Sequence, residues 1–170
     1  DTYWNDASNW TCNLIPYTGL NITIPDVVND PVLSSGLAAY VNDLTIEAGS
    51  VFTVSSNSIY ISGALSVSGT FDATGGTVVM NGTSAQIIGA SVFASNTVKS
   101  LVVDNPSGVT LAGPLGVSEA VEISSGSLAS GGNLTILSTT SGTGYIDGSG
   151  SGSVTGDVTM QRYLPSGFGY

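Results

Sequence analysis

The chain has 170 residues and a formal net charge of −10, from 12 acidic and 2 basic residues, and it lacks histidine. This length suits one domain with a substantial core. With Lys99 and Arg162 as its only basic side chains, the sequence offers no basic patch for phosphate backbones or anionic lipids. We therefore expect no nucleic-acid partner, and the absence of 18 consecutive apolar residues argues against membrane insertion.

The composition indicates an extracellular all-β protein. Hydrophobic residues make up 41% of the chain and charged residues 8%, while 23 residues are glycine. Abundant β-branched residues and turn formers predict strands throughout. Few lysines, many Ser, Thr and Asn residues, and a start at Asp1 without Met fit a secreted product whose signal peptide has been removed. Cys12 is the single cysteine, so no intrachain disulfide is expected.

Residues 1–36 differ from the rest of the chain. They contain both tryptophans, the cysteine and three of the six prolines, at Pro16, Pro25 and Pro31. A solenoid needs a cap over its first open edge, and aromatic residues with prolines suit that role. We predict that residues 1–36 form an N-terminal cap, and that Trp4 and Trp10 belong to cap or core and not to a ligand platform.

Residues 37–170 repeat a short pattern of an alternating apolar strand, a Gly-containing turn and another such strand. The triplet Leu44-Thr-Ile46 returns as Leu134-Thr-Ile136, with Val158-Thr-Met160 as a close variant. Units that cannot bury their apolar face alone must stack on one another. We predict a right-handed parallel β-helix of about seven coils, with a β-sandwich as the alternative. Asn81-Gly82 is the only Asn-Gly pair, which disfavours the sandwich.

The alternation also predicts which side chains fill the core. They are Leu44, Ile46, Val54, Ile59, Ile61, Leu65, Val67, Phe71, Val78, Met80, Ile87, Leu101, Val103, Leu111, Leu115, Val117, Val121, Ile123, Leu128, Leu134 and Ile136.

The sequence predicts no catalytic, cofactor or metal site. Glycoside hydrolysis needs two carboxylates placed together, but Glu119 and Glu122 stand three residues apart on or beside a strand and point to different faces. Asp26, Asp30 and the glycine-rich loop at Asp147 lack the run of ligands that calcium requires. We interpret these acids as loop and surface residues, and we predict that the protein is not an enzyme.

Several segments resemble a domain of large secreted surface proteins from Bacteroidetes that contain right-handed parallel β-helices. The resemblance rests on the opening Trp4-Asn-Asp-Ala-Ser-Asn-Trp10 with Ile22-Thr-Ile-Pro25, on Asn42–Gly49, on Met80–Gly89 and on the closing Gly156–Pro165. It implies export by the type IX route and exposure on the cell surface or in extracellular fibres. It brings no catalytic residues.

Two functions follow as expectations. One is a non-catalytic structural protein, an extracellular β-helix that forms or decorates fibres through end-to-end contact, since open solenoid ends and heterologous contacts build filaments. The alternative is an adhesin or spacer module of a larger cell-surface protein, which binds glycan or another surface. The expected partner is a second copy, head to tail, or a following domain.

Overall fold

A computed structural model describes residues 2–34 and 36–165 as an all-β solenoid of about seven rungs, which confirms the predicted fold class. Apart from a 3₁₀ turn at Ala7–Asn9, the described regular structure consists of strands. They are β1 (Ile22–Ile24), β2 (Val32–Leu33), β3 (Ala39–Val41), β4 (Leu44–Ile46), β5 (Val51–Val54), β6 (Ser58–Ile61), β7 (Leu65–Val67), β8 (Thr70–Met80), β9 (Gln86–Ile88), β10 (Phe93–Leu111), β11 (Leu115–Ala129), β12 (Leu134–Ile136), β13 (Ser138–Thr139), β14 (Gly142–Thr143), β15 (Tyr145–Asp147), β16 (Ser153–Thr155) and β17 (Val158–Met160).

Parallel pairing between successive rungs builds three faces along the solenoid. Face A contains β1, β4, β7, β9, the last residues of β10 and β11, and β16. Face B contains β2, β5, the first residues of β8, β10 and β11, then β12 and β17. Face C contains β3, β6, the later residues of β8, the middle of β10 and β11, and β15. The antiparallel pair β13–β14 forms a small hairpin at one corner.

An aromatic stack runs through the core at the N-terminal end. The Trp4 ring centroid lies 5.0 Å from that of Phe52, Phe52 lies 5.3 Å from Phe71, and Phe71 lies 5.0 Å from Phe93. These spacings are those of favourable aromatic pairs. The three phenylalanine rings stack because parallel, in-register pairing places Phe52, Phe71 and Phe93 at equivalent inward positions of successive rungs. The stack therefore ties the cap to the first four rungs.

Most of the predicted core is confirmed. The buried members are Leu44, Ile46, Val54, Ile59, Ile61, Phe71, Val78, Met80, Leu101, Val103, Leu111, Leu115, Val117, Val121, Ile123, Leu128, Leu134 and Ile136. Leu65 and Val67 are only half-buried. The prediction for Ile87 is wrong: its side chain is 61% exposed, and its neighbour Ile88 is buried instead. Two adjacent isoleucines leave the register of a short strand ambiguous, and here Gln86 takes the other inward position.

One corner shows why this chain needs so much glycine. Gly126 has a φ of +74°, and a Cβ at that position would collide with the carbonyl group of Asn105 in the rung before it. A residue with a side chain would therefore suffer both backbone strain and a clash. Corners of stacked rungs bring main chains close together, so glycine is required there.

The N-terminal segment lies against the first rung, and its Trp4 side chain is part of the buried core. The Trp4 N–H donates to the Val32 carbonyl at 2.9 Å, and the Val32 N–H donates to the Thr2 carbonyl at 2.7 Å, so this segment pairs with the first rung on face B. The Trp10 Nε1–H donates to the Trp4 carbonyl at 2.9 Å, and the two rings meet edge to face. The rungs begin at Ile22, earlier than the predicted start at residue 37.

Candidate functional site: the last rung, the first rung and a side cleft

The last rung leaves its strand edges unpaired within the described residues. On face C, β15 pairs only with β11, and on face A, β16 pairs only with β11. On face B, β17 pairs only with β12. Each strand thus has one edge whose N–H and C=O groups have no strand partner in residues 2–34 and 36–165. Such edges are templates for pairing with a further strand.

Within the described residues, no further rung covers the apolar core at this end. Inward side chains of the rung before it, such as Leu134 and Ile136, are fully buried. Their register partners on β17 are Val158, which is half-buried, and Met160, which is 62% exposed. On face C, Ile146 is aligned with the buried Val121 and is 38% exposed. The end of the core therefore presents a patch of apolar side chains framed by free strand edges.

The first rung is different, because the cap covers its core. Trp4 is 1% exposed, and the inward residues Ile22, Ile24, Leu33 and Val41 are all buried. The cap pairs with a strand only on face B, through the bridge between Tyr3 and Val32. β1 and β3 each pair on one side only in the described residues. The two ends of the solenoid are therefore chemically unequal.

Glu119 and Glu122, the two neighbouring acids for which the sequence predicts no catalytic role, lie in two separate environments. Glu119 is exposed and forms an ion pair with Lys99, with 3.1 Å between Nζ and Oε2. Glu122 is on β11, where its Oε1 accepts a hydrogen bond of 2.5 Å from the Ser124 hydroxyl. Each carboxylate thus has its own partner on the surface. Neither faces the other across a cleft in the way that a glycosidase pair requires.

The acids considered for calcium stabilise loops instead. Asp30 Oδ1 accepts a hydrogen bond of 2.8 Å from the Val51 N–H of the next rung, and Asp147 Oδ1 accepts one of 2.9 Å from the Ser149 N–H. Asp26 is exposed on the loop beside the Gly49 turn. In residues 2–34 and 36–165, no group of three or more His, Cys, Asp or Glu side chains is placed to hold a metal ion. Cys12 is exposed and free.

Sequence reasoning missed a buried polar network centred on Gln86. Its Nε2 donates to the carbonyl groups of Ile61 and Gly63, at 2.9 and 2.7 Å. Its Oε1 accepts from the Gly82 N–H at 3.0 Å and from Asn105 Nδ2 at 2.9 Å. Gln86 is 6% exposed and Asn105 is 0% exposed. The sequence contains no signal for this network, because the predicted register placed Ile87 inward and Gln86 outward.

This network borders a cleft on face A of about 460 Å³. Its walls come from the turn and strand of rung three, with Ala64 and Leu65, and from rung four, with Ala85 and Ile87. A second cavity, of about 220 Å³, lies at the cap between Trp10, Asn29 and Pro31. Trp10 already donates its indole N–H to the Trp4 carbonyl.

Two groups have perturbed protonation. Hydrogen bonds from the Ser8 hydroxyl and the Ser8 N–H lower the pKa of Asp6, whose carboxylate caps the 3₁₀ turn of the N-terminal segment. Burial, reinforced by Tyr40, raises the pKa of Tyr60. The rings of Tyr40 and Tyr60 stack at 4.5 Å on the outside of face C. The nearby Asp104 carboxylate raises the pKa of Tyr60 further, as a smaller contribution than burial.

Comparisons with known proteins give a family but no activity. No curated protein and no solved structure showed a significant match. In the described part of the chain, no helix has the length and apolar character needed to cross a bilayer. The family described as Domain of unknown function (DUF8693) matches residues 1–101, which include the N-terminal segment and the first rungs. Because the match spans more than half of the chain, the protein belongs to this family.

Proposed function

We propose that the protein is a non-catalytic extracellular structural protein that associates end to end through its last rung. The observation that carries the proposal is the uncovered core at β15, β16 and β17, where free strand edges frame exposed apolar side chains. Stacking another rung on this patch would bury its apolar side chains, which is favourable, and would pair the free N–H and C=O groups of the strand edges. The composition supports an extracellular location, as argued from the sequence.

The partner best matched to this end is the first rung of a second copy. β1 and β3 of that copy have one unpaired side each, and they belong to faces A and C, the same faces as β16 and β15. Contact between two different surfaces of identical molecules does not close on itself, so repetition gives a filament. The formal charge of −10 opposes this contact, and salt should therefore strengthen it by screening.

A second function is favoured by the asymmetry of the two ends. The cap buries Trp4 and covers the first rung, whereas the last rung is open. A cap at one end suits a spacer or adhesin module that begins a longer solenoid within a cell-surface protein. In that case the last rung stacks on the polypeptide that follows it in the same protein. Binding of glycan or another surface would then be the work of exposed loops.

Negative-stain electron microscopy of the purified protein at low and high salt separates the two functions. The structural-subunit proposal predicts filaments with an axial repeat of a few nanometres, since seven rungs spaced by about 4.8 Å give a unit of roughly 30 Å before the cap is added. Isolated short rods at every salt concentration would contradict self-assembly and leave the spacer module as the function. Type IX export and a Bacteroidetes source remain predictions from the resemblance.

A further inference from the structure

Face A is interrupted at one place along the solenoid. β1, β4 and β7 pair in continuous register, and β9 pairs with the end of β10, but no ladder joins β7 to β9. Most of the Cα–Cα distances between these two strands exceed 8 Å. Neighbouring strands in a sheet lie about 4.8 Å apart, so β7 and β9 stand farther apart than directly paired strands do.

Faces B and C stay paired at the same level, so the gap opens only on one side. β8 and β10 remain in register there, for example at Val78 and Leu101. On face A the Gln86 side chain reaches across to the carbonyl groups of Ile61 and Gly63. A side-chain amide, instead of a neighbouring main chain, therefore bridges the inner edge of the gap. The outer part of the gap is the cleft of about 460 Å³.

The strands that form the cleft walls expose apolar side chains that are buried on neighbouring strands of the same face. Leu65 and Val67 on β7 are half-buried, although their register partners Leu44 and Ile46 on β4 are fully buried. Ile87 on β9 is 61% exposed. No charged side chain lines the cleft. Its volume falls in the usual range of ligand sites, roughly 300–1,000 Å³.

We propose that this cleft binds an extended segment of another polypeptide, which pairs with β7 and β9 as an additional strand of face A. Two facing strands with unpaired N–H and C=O groups match the hydrogen bonding of an extended main chain. The apolar walls favour alternating aliphatic and small polar side chains in that segment. The acidic surface of the protein disfavours an acidic segment.

The probe is a fluorescent peptide that copies residues 62–69, Ser-Gly-Ala-Leu-Ser-Val-Ser-Gly. It is uncharged, and it carries the rung that already forms one wall of the cleft. Fluorescence anisotropy should show saturable binding to the protein. The same peptide with proline at the position of Ser66 loses a main-chain donor and should bind at least tenfold more weakly. Absence of saturable binding, or equal binding of both peptides, would overturn the proposal.

A pair of protein variants locates the binding. Ala85 is exposed and lines the cleft, so Ala85→Trp should fill the cleft and weaken peptide binding at least tenfold. Ala112 is an exposed alanine of a later corner, outside the cleft, and Ala112→Trp should leave binding unchanged. Equal affinities of the two variants would place the peptide elsewhere and refute the assignment.

Hydrogen–deuterium exchange on the unmodified protein gives a second readout that needs no variant. Amide groups at the free edges of β7 and β9 should exchange quickly in the free protein and at least tenfold more slowly with saturating peptide. Unchanged exchange in both strands would overturn the proposal. Met160→Lys, at the last rung, should not alter peptide binding, so failure of end-to-end association and failure of this cleft are distinguishable.

Discussion

Replacing Gln86 with leucine tests how much this side chain contributes to the stability of the fold at the interruption of face A. Leucine has a similar size, so Gln86→Leu removes the polar atoms without leaving a large cavity. Two of the four hydrogen-bond partners keep another bond: the Ile61 carbonyl accepts from the Asn81 N–H, and Asn105 Nδ2 donates to the Ser84 carbonyl. The Gly63 carbonyl and the Gly82 N–H lose the side-chain partner that satisfies them.

The magnitude follows from these two groups. A buried donor or acceptor left without a partner costs about 1–3 kcal/mol. Gly82 is buried and bears the full cost, whereas Gly63 is half-buried and water can replace part of its bond. We therefore expect Gln86→Leu to lower the free energy of unfolding by about 3 kcal/mol. The network also fixes the β9 register, so the cleft should become less ordered.

The assay is urea unfolding followed by circular dichroism and by tryptophan fluorescence. The chain supplies a matched control, because its other glutamine, Gln161, is exposed and accepts only one long hydrogen bond, of 3.4 Å, from the Ser138 N–H. Gln161→Leu should change stability by less than about 0.5 kcal/mol. If Gln86→Leu has as small an effect as Gln161→Leu, the buried network does not hold the two halves of face A together.

Three further predictions concern the core and surface. Phe71→Ala should cost about 4 kcal/mol in urea unfolding because it leaves a cavity between two rings, and Phe71→Leu less than half of that; equal losses would contradict a stacking role. The raised pKa of Tyr60 favours its neutral phenol in the folded state, so its contribution is complete below the ordinary value of 10.0 and lost as pH rises through the folded pKa. Stability measured against pH should therefore fall less steeply above pH 10 in Tyr60→Phe, and identical profiles would refute this. Lys99→Ala removes an exposed ion pair and should lower the free energy of unfolding, measured with urea, by less than about 0.5 kcal/mol. A loss of more than about 1.5 kcal/mol would show that this ion pair stabilises the fold more than an exposed pair does.

The sequence predicts the stacking because short alternating strands with glycine corners have few other ways to bury one face. Leu44 and Ile46 point inward on face A and Leu134 and Ile136 point inward on face B, so the repeated triplet marks buried strands of two different faces. Phe71 belongs to the predicted core, whereas Phe52 and Phe93 do not, although Phe52 stands two residues before the predicted inward Val54. Only the register of the folded rungs shows that the three rings form one stack.

The candidate surfaces were harder to predict, since they depend on where pairing stops. Local alternation cannot show that β7 and β9 fail to meet, and Ile87-Ile88 fits either register. The alternation in Val158-Thr-Met160 predicts a strand, but the exposure of Met160 depends on where stacking ends and is visible only in the structure. Residues 166–170, which were included in the predicted coils, lie outside the described residues.

Sedimentation velocity over a wide range of protein concentration tests the central claim, that the last rung is an association surface, most directly. The comparison pairs Met160→Lys with Ile87→Lys, because the two side chains are equally exposed, at 62% and 61%, but lie on different surfaces. We predict concentration-dependent association of the unmodified protein that strengthens with salt, persists in Ile87→Lys and is lost in Met160→Lys. An unmodified protein that stays monomeric throughout, or association that survives Met160→Lys, would contradict the account.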